Sequence, residues 1–198
     1  MTQSPAMSAP TLQEAVKPYL NTWGPYRLTR DEISQTAIWR FCEVAEDGNP
    51  AYWDRKFAKK SRFGRLIAPP QSIFAMTFAP WWTPDYLAKQ VAEDAAKLNP
   101  PATETAGPSA HHLSDQYGYT VATVVGQEVE YVAPFGPGDG RLKMRSMTTD
   151  VSPEKQTRPG KGVFITNVTE YRTEREDRLV ARSMMILLKY NPDSPRGD

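Results

Sequence analysis

The chain changes its period at Gly118. Before that residue the apolar side chains recur at spacings of three to five, and after it they alternate one by one. A spacing near 3.6 belongs to a helix with one buried face, and a spacing of two to a strand with one buried face. The second half therefore predicts four strands, over residues 119–132, 141–151, 162–172 and 179–190. Gly136-Pro137-Gly138-Asp139-Gly140 separates the first pair, Pro159-Gly160 precedes the third, and a charged turn at 174–177 separates the last two. Four such strands predict an antiparallel meander. The helices precede them, which makes the class α+β.

One helical segment constrains the packing. Residues 71–79 (QSIFAMTFA) follow Ala68-Pro69-Pro70 and are apolar nearly all round, as expected of a helix covered on every side. The expected architecture is a central apolar helix wrapped by a curved antiparallel sheet. Thr29-Arg30-Asp31-Glu32 reads as a capping box opening an earlier helix. Its apolar face would be Ile33, Ala37, Ile38, Phe41, Val44 and Ala45, with Gly48 and Asn49-Pro50 as its stop. A short helix over about 54–61 and an amphipathic one over 85–98 follow. Residues 1–28 read as an irregular N-terminal segment, with a helical turn near 12–19. Residues 29–190 read as one domain with a helical and loop insertion at about 81–117, and 191–198 as a disordered tail.

Composition removes several function classes. With 24 Lys+Arg against 23 Asp+Glu, the net charge of +1 gives no footprint for nucleic acid. The single cysteine, Cys42, excludes an internal disulfide and fits a reducing compartment; two histidines, His111 and His112, leave little for a metal site. No signal peptide is visible at the N-terminus, and the uncharged stretch 66–84 is broken by Pro69, Pro70 and Pro80, too short for the roughly 20 residues a bilayer requires. A cytoplasmic protein with no membrane partner and no metal is expected.

The most informative run is Glu46-Asp47-Gly48-Asn49-Pro50-Ala51-Tyr52-Trp53-Asp54, with Ala58 beyond it. It resembles the MaoC-like, R-specific enoyl-thioester hydratases and dehydratases of the hot-dog fold, and within them the fatty-acid-synthase-like dehydratase branch. Their pattern runs Gly-Asp-x-Asn-Pro-x-His-x-Asp, and Asp47, Asn49, Pro50, Asp54 and Ala58 fall on it. Gly126-Gln127-Glu128-Val129-Glu130-Tyr131 with Pro137-Gly138-Asp139, and the run 160–166, resemble the strand-and-turn signatures of that branch. The resemblance spans about residues 29–190.

What it implies about chemistry turns on one position. In active members an Asp and a His five residues later hold and activate the water that adds across the enoyl double bond. Here Asp47 is present and Tyr52 occupies the histidine position. A phenol with an ordinary pKa near 10 donates hydrogen bonds but is a poor base at neutral pH. Chains with Tyr there resemble partner subunits of heteromeric hydratases, including those acting on fatty-acyl or steroid side-chain thioesters. In such heteromers a second hot-dog subunit supplies the Asp/His pair.

The resemblance implies Asp47, Tyr52 and Asn49 as catalytic-position residues. It implies no cofactor beyond coenzyme A as part of the substrate. Gln71 and Ser72 open the apolar helix, where backbone N–H groups would hold a thioester oxygen. Lys59, Arg62 and Arg65 belong to a basic run (with Arg55, Lys56 and Lys60) that reads either as a solvated helix face or as a landing surface for the phosphates of coenzyme A or of an acyl carrier protein. Trp81 and Trp82 read as core or interface residues, or as part of a wall for a bulky acyl group. His111 and His112 read as a solvated loop pair, or as a base in place of the missing histidine. Three activities stay open: a pocket-forming subunit of a heteromeric hydratase, a self-sufficient homodimeric hydratase using Asp47, and a non-catalytic thioester-binding protein. A hot-dog thioesterase is disfavoured, because residues 71–79 carry no carboxylate.

Overall fold

The computed structural model describes residues 10–78, 82–99 and 109–197. Helix α1 (Leu12–Val16) opens the described chain with a capping box, in which the Thr11 hydroxyl accepts from the Glu14 N–H and the Glu14 carboxylate accepts from the Thr11 N–H. A 3-10 turn (Lys17–Tyr19) follows, and then strand β1 (Arg27–Glu32).

That strand corrects one expectation. Thr29 does not cap a helix: its hydroxyl donates to the Asp31 carbonyl and accepts from the Leu142 N–H, so the side chain is used within the sheet. The helix instead starts after Ser34, whose hydroxyl accepts from the Ala37 N–H at 3.1 Å, and spans α2 (Gln35–Ala45). Ile38 and Cys42 are buried on it, while Val44, expected on the inner face, is exposed. Gly48 is not the stop either. Glu46 takes the left-handed conformation (φ 51°) that ends the helix.

Short helices α3 (Pro50–Trp53), α4 (Arg55–Lys60) and α5 (Ser72–Thr77) follow. Helix α5 is the apolar helix of the sequence, but it is six residues long rather than nine and is not covered on every side. Only Ser72 and Ile73 are buried. The chain turns extended at Phe78 (ψ 141°), which is 79% exposed, shortly before Pro80. Helices α6 (Asp85–Leu98), with no buried residue, and α7 (Ala110–Gln116) complete the helical half.

The strands are β2 (Val121–Tyr131), β3 (Arg141–Val151), β4 (Lys155–Thr157), β5 (Gly160–Thr173) and β6 (Leu179–Tyr190). They form one antiparallel sheet in the order β1-β3-β5-β6-β2, with β4 on β5. A simple meander is thereby corrected. β2, the first of the four long strands, lies at the far edge beside β6, because the link from β2 to β3 crosses the sheet end instead of making a hairpin. Val132 N–H donates to Val180 O, Ala68 N–H to Phe135 O, and a Cβ on Gly136 would meet Leu66 O at 2.6 Å, so the link is seated in the core.

Helices and sheet enclose two apolar clusters at opposite ends of the sheet. The nearer includes Ile38, Tyr52, Ala58, Ile67, Ile73, Leu142, Tyr171 and Ala181. The farther joins Leu12 and Val16 of α1 to Ala110, Tyr119, Val151, Val163 and Ile165. Residues 191–197, expected as a disordered tail, fold back over the β4–β5 turn: Asn191 N–H donates to Lys161 O and Gly197 N–H to Thr157 O.

Candidate active site

The site grows from the end of α2. Once Glu46 reverses the helix, the Asp47 N–H donates to Cys42 O. The Asp47 carboxylate accepts the Asn49 N–H at 3.0 Å, and the Asn49 side-chain oxygen in turn accepts the Ala51 N–H at 3.0 Å, capping α3 ahead of Pro50. These two side-chain bonds make the turn, as Asp and Asn do at such positions. Trp53 fixes it from behind. Its indole N–H donates to Asp47 O at 2.7 Å, and its ring stacks on Trp39 with centroids 6.0 Å apart.

Helix α3 turns Tyr52 into the core, where it forms one wall of a cavity of about 420 Å³. Asn49, Arg62, Phe63 and Pro70 share that wall, and the β2–β3 link closes it from Tyr131 to Phe135. Burial and the neighbouring Asp47 charge push the Tyr52 phenol above its ordinary pKa. It therefore stays protonated at neutral pH, able to donate a hydrogen bond. Asp47 is half-buried and lies outside the cavity lining. Asn49 and Tyr52 thus meet in one cavity, with Asp47 behind them.

The expected substrate contacts divide. Arg62 lines the cavity, with its guanidinium 4.8 Å from the Phe63 ring centroid. Lys59 is exposed on α4. Arg65 is taken out of the landing surface: it forms a two-pronged pair with Asp139, both contacts at 2.7 Å. Asp139 is buried and also meets Arg178 at 3.2 Å and the Gly136 N–H at 2.9 Å. Burial raises the Asp139 pKa, but the Arg65 pair, the Gly136 N–H and Arg178 outweigh it and hold the carboxyl below its usual range.

Ser72 is also corrected. Its N–H and hydroxyl both go to Pro69 O, at 3.0 and 2.6 Å, which leaves neither for a substrate oxygen. Gln71 is exposed and precedes α5. Trp82 is 75% exposed, away from the cavity lining, and Trp81 lies outside the described residues.

His111 and His112 sit on α7 at the opposite end of the sheet. The His111 ring meets Asn167 at 3.2 Å, and burial together with Lys189 pushes its pKa below the ordinary value. It belongs to a polar group around the Lys189–Asp115 pair at 2.6 Å, remote from Asp47. Among the described residues, no group of three or more His, Cys, Asp or Glu could hold a metal ion, and no helix is long and apolar enough to cross a membrane.

Sequence reasoning missed two positioning residues. Trp53 was readable only as packing, since its bond goes to a main-chain oxygen. Asp139 sits in a Gly/Pro-rich link, where an acid reads as a turn residue.

The family model described as FAS1-like, dehydratase domain region matches residues 24–182. A probable enoyl-CoA hydratase alpha subunit of Thermomonospora curvata is 28% identical over 171 residues, covering 86% of this chain. The chain spans half or less of the length of the curated relatives it matches, 49% in that case. Among solved structures, the ChsH1–ChsH2 complex from Mycobacterium tuberculosis superposes with a TM-score of 0.70 at 25% identity, over 92% of this chain and 97% of that one. The MaoC-like dehydratase from Rhodospirillum rubrum superposes with a TM-score of 0.53 at 18% identity, over 85% and 92% of the two chains. The fold is the hot-dog fold that these structures share.

Proposed function

The chain belongs to the FAS1-like dehydratase-region family, and on that premise we propose that it is the pocket-forming subunit of a heteromeric enoyl-thioester hydratase. Its partner is a second hot-dog subunit that carries the Asp/His pair. The observation that carries this reading is Tyr52: the residue at the histidine position lines the cavity as a buried, protonated phenol, while Asp47 stands outside the lining. Such a pair can orient a thioester by donating a hydrogen bond, but it lacks the imidazole that joins the Asp in taking a proton from water at neutral pH. A hydratase alpha subunit and a two-component complex among its relatives support a partnered role.

The substrate in this reading is an acyl-coenzyme A with a bulky acyl group. Because α5 ends at Thr77, the middle of the concave sheet face is only partly covered. Thr148, Asn167 and Met185 there are half-buried and Ser146 is exposed, leaving room beside the cavity for more than a short chain. Water adds at C3 while a proton reaches C2, using groups of the two subunits, with coenzyme A present as part of the substrate and no metal or redox cofactor. The partner covers the unpaired edge of β2, where Val124, Val125, Tyr131 and Val132 are exposed. An edge this long and apolar is a pairing site. A cytoplasmic location goes with this role.

The test is to mix the purified chain with an Asp/His-bearing hot-dog subunit and follow loss of the conjugated enoyl-thioester absorbance. Turnover of bulky enoyl-coenzyme A that needs both chains supports the reading; a partner whose turnover and acyl range do not change on mixing contradicts it.

A further inference from the structure

A second concavity is remote from Tyr52. At the far end of the sheet, the β4–β5 turn and residues 191–197 enclose a cavity of about 460 Å³. Arg158, Pro159, Tyr190, Pro192 and Arg196 line it. The tail that forms one wall is fastened in place. Gln156 donates to Pro195 O at 2.7 Å, Lys161 N–H to Ser194 Oγ at 2.7 Å, and a Cβ on Gly160 (φ 147°) would meet Asn191 O at 2.5 Å.

The two arginines distinguish this cavity. Several other guanidinium groups lean on carboxylates, as Arg65 and Arg178 do on Asp139, and Arg145 and Arg182 on Glu170. Among the described residues, Arg158 and Arg196 have no such partner, and both are exposed at the cavity. Two free guanidinium groups beside an aromatic ring and proline faces suit a ligand that joins phosphates to a flat heterocycle. The volume lies within the range of small-molecule sites.

The sheet topology says which molecule brings it. Strand β6 runs from the Tyr52 cavity, beside Ala181, to this cavity at Tyr190, a span of about 30 Å. That separates the two cavities of one subunit too far for one small substrate. Now let a second hot-dog unit pair antiparallel along the free edge of β2. The Val121 end of β2, which is paired with Tyr190, then lies beside the pocket end of the partner's edge strand. With strands about 4.8 Å apart, the arginine cavity falls within roughly 10–20 Å of the partner's Asp/His site, at the same end of the joint sheet.

We propose that Arg158, Arg196 and Tyr190 bind the phosphoadenosine diphosphate end of a coenzyme A thioester whose thioester group reaches the partner subunit's Asp/His pair. This deepens the heteromeric reading above and rests on it. A carrier-protein thioester offers a phosphopantetheine but no adenine, so it would leave the Tyr190 wall unused.

The test uses the complex of the full chain with its catalytic partner, carrying either wild-type residues or the double variant R158Q/R196Q. Both residues are exposed, and an unchanged melting temperature verifies the fold. For an enoyl-coenzyme A the double variant raises KM about tenfold or more with kcat unchanged, as expected for loss of charge-assisted bonds. For the same enoyl group on pantetheine, which has no nucleotide, KM does not move. Equal changes for both thioesters, or none for either, overturn the proposal. A carrier-protein thioester that loses as much as the coenzyme A thioester overturns the nucleotide assignment. If the wild-type complex turns over neither coenzyme A nor pantetheine thioester, it is the hydratase reading that fails.

Discussion

The indole N–H of Trp53 donates to the carbonyl oxygen of Asp47 at 2.7 Å, and so ties the start of the site turn to the end of the helix that carries Tyr52. A phenylalanine at position 53 keeps the stacking on Trp39 and removes only this bond. Trp53→Phe should cost about 1 kcal/mol in urea unfolding. It should also weaken thioester binding by the complex, because the Asp47–Asn49 turn loses its rear support. A calorimetric affinity equal to wild type would show that the bond serves stability alone.

Asp139 predicts a pH dependence. Its carboxyl is held below the usual range in the folded state, so its contribution to stability is present above the unfolded-state value, about 3.9. It is lost as pH falls through the lower folded value. Asp139→Asn should destabilise the chain at neutral pH by about 2–4 kcal/mol, less than a fully buried pair because both arginines stay partly solvated. The gap between variant and wild type should narrow on acidification below about pH 4. Denaturant melts at several pH values measure both.

Glu46 stands where the family pattern has glycine and holds φ at 51°. A left-handed conformation is strained for a residue with a Cβ. Glu46→Gly should raise stability by about 0.5–1 kcal/mol, net of the added freedom of the unfolded chain. The melting temperature reads this directly, and a fall would mean that the Glu46 side chain makes a compensating contact.

Tyr52→His should restore the missing base. The position is buried against the cavity with the Asp47 charge nearby. Burial lowers and a carboxylate raises an imidazole pKa, which leaves it able to accept a proton near neutrality. The variant chain alone should gain measurable hydration of enoyl-coenzyme A, and that gain should vanish in Tyr52→His combined with Asp47→Asn.

The sheet was legible because its signal is local. Alternation over ten or more residues located all four long strands, and β3 and β6 fall on the residues 141–151 and 179–190 that the pattern marked. Partner choice is not local, which is why the position of β2 beside β6 was not visible. Thr29 misled for a related reason: a Thr with Glu three residues on satisfies a capping pattern, and only the Leu142 N–H across the sheet decides against it. In the site, motif spacing placed Asn49 and Tyr52 together. It could not show that Arg65 is consumed by Asp139, 74 residues away, or that Ser72 spends both its groups on Pro69.

In the proposed function this chain shapes a thioester pocket but leaves proton transfer to a partner. The direct measurement is turnover of a bulky enoyl-coenzyme A by the purified chain alone, alongside calorimetric binding of the same thioester, with Asp47→Asn as control. Binding without turnover is expected, with equal binding by the variant. Turnover by the chain alone that disappears in Asp47→Asn would contradict it and make the protein a self-sufficient hydratase.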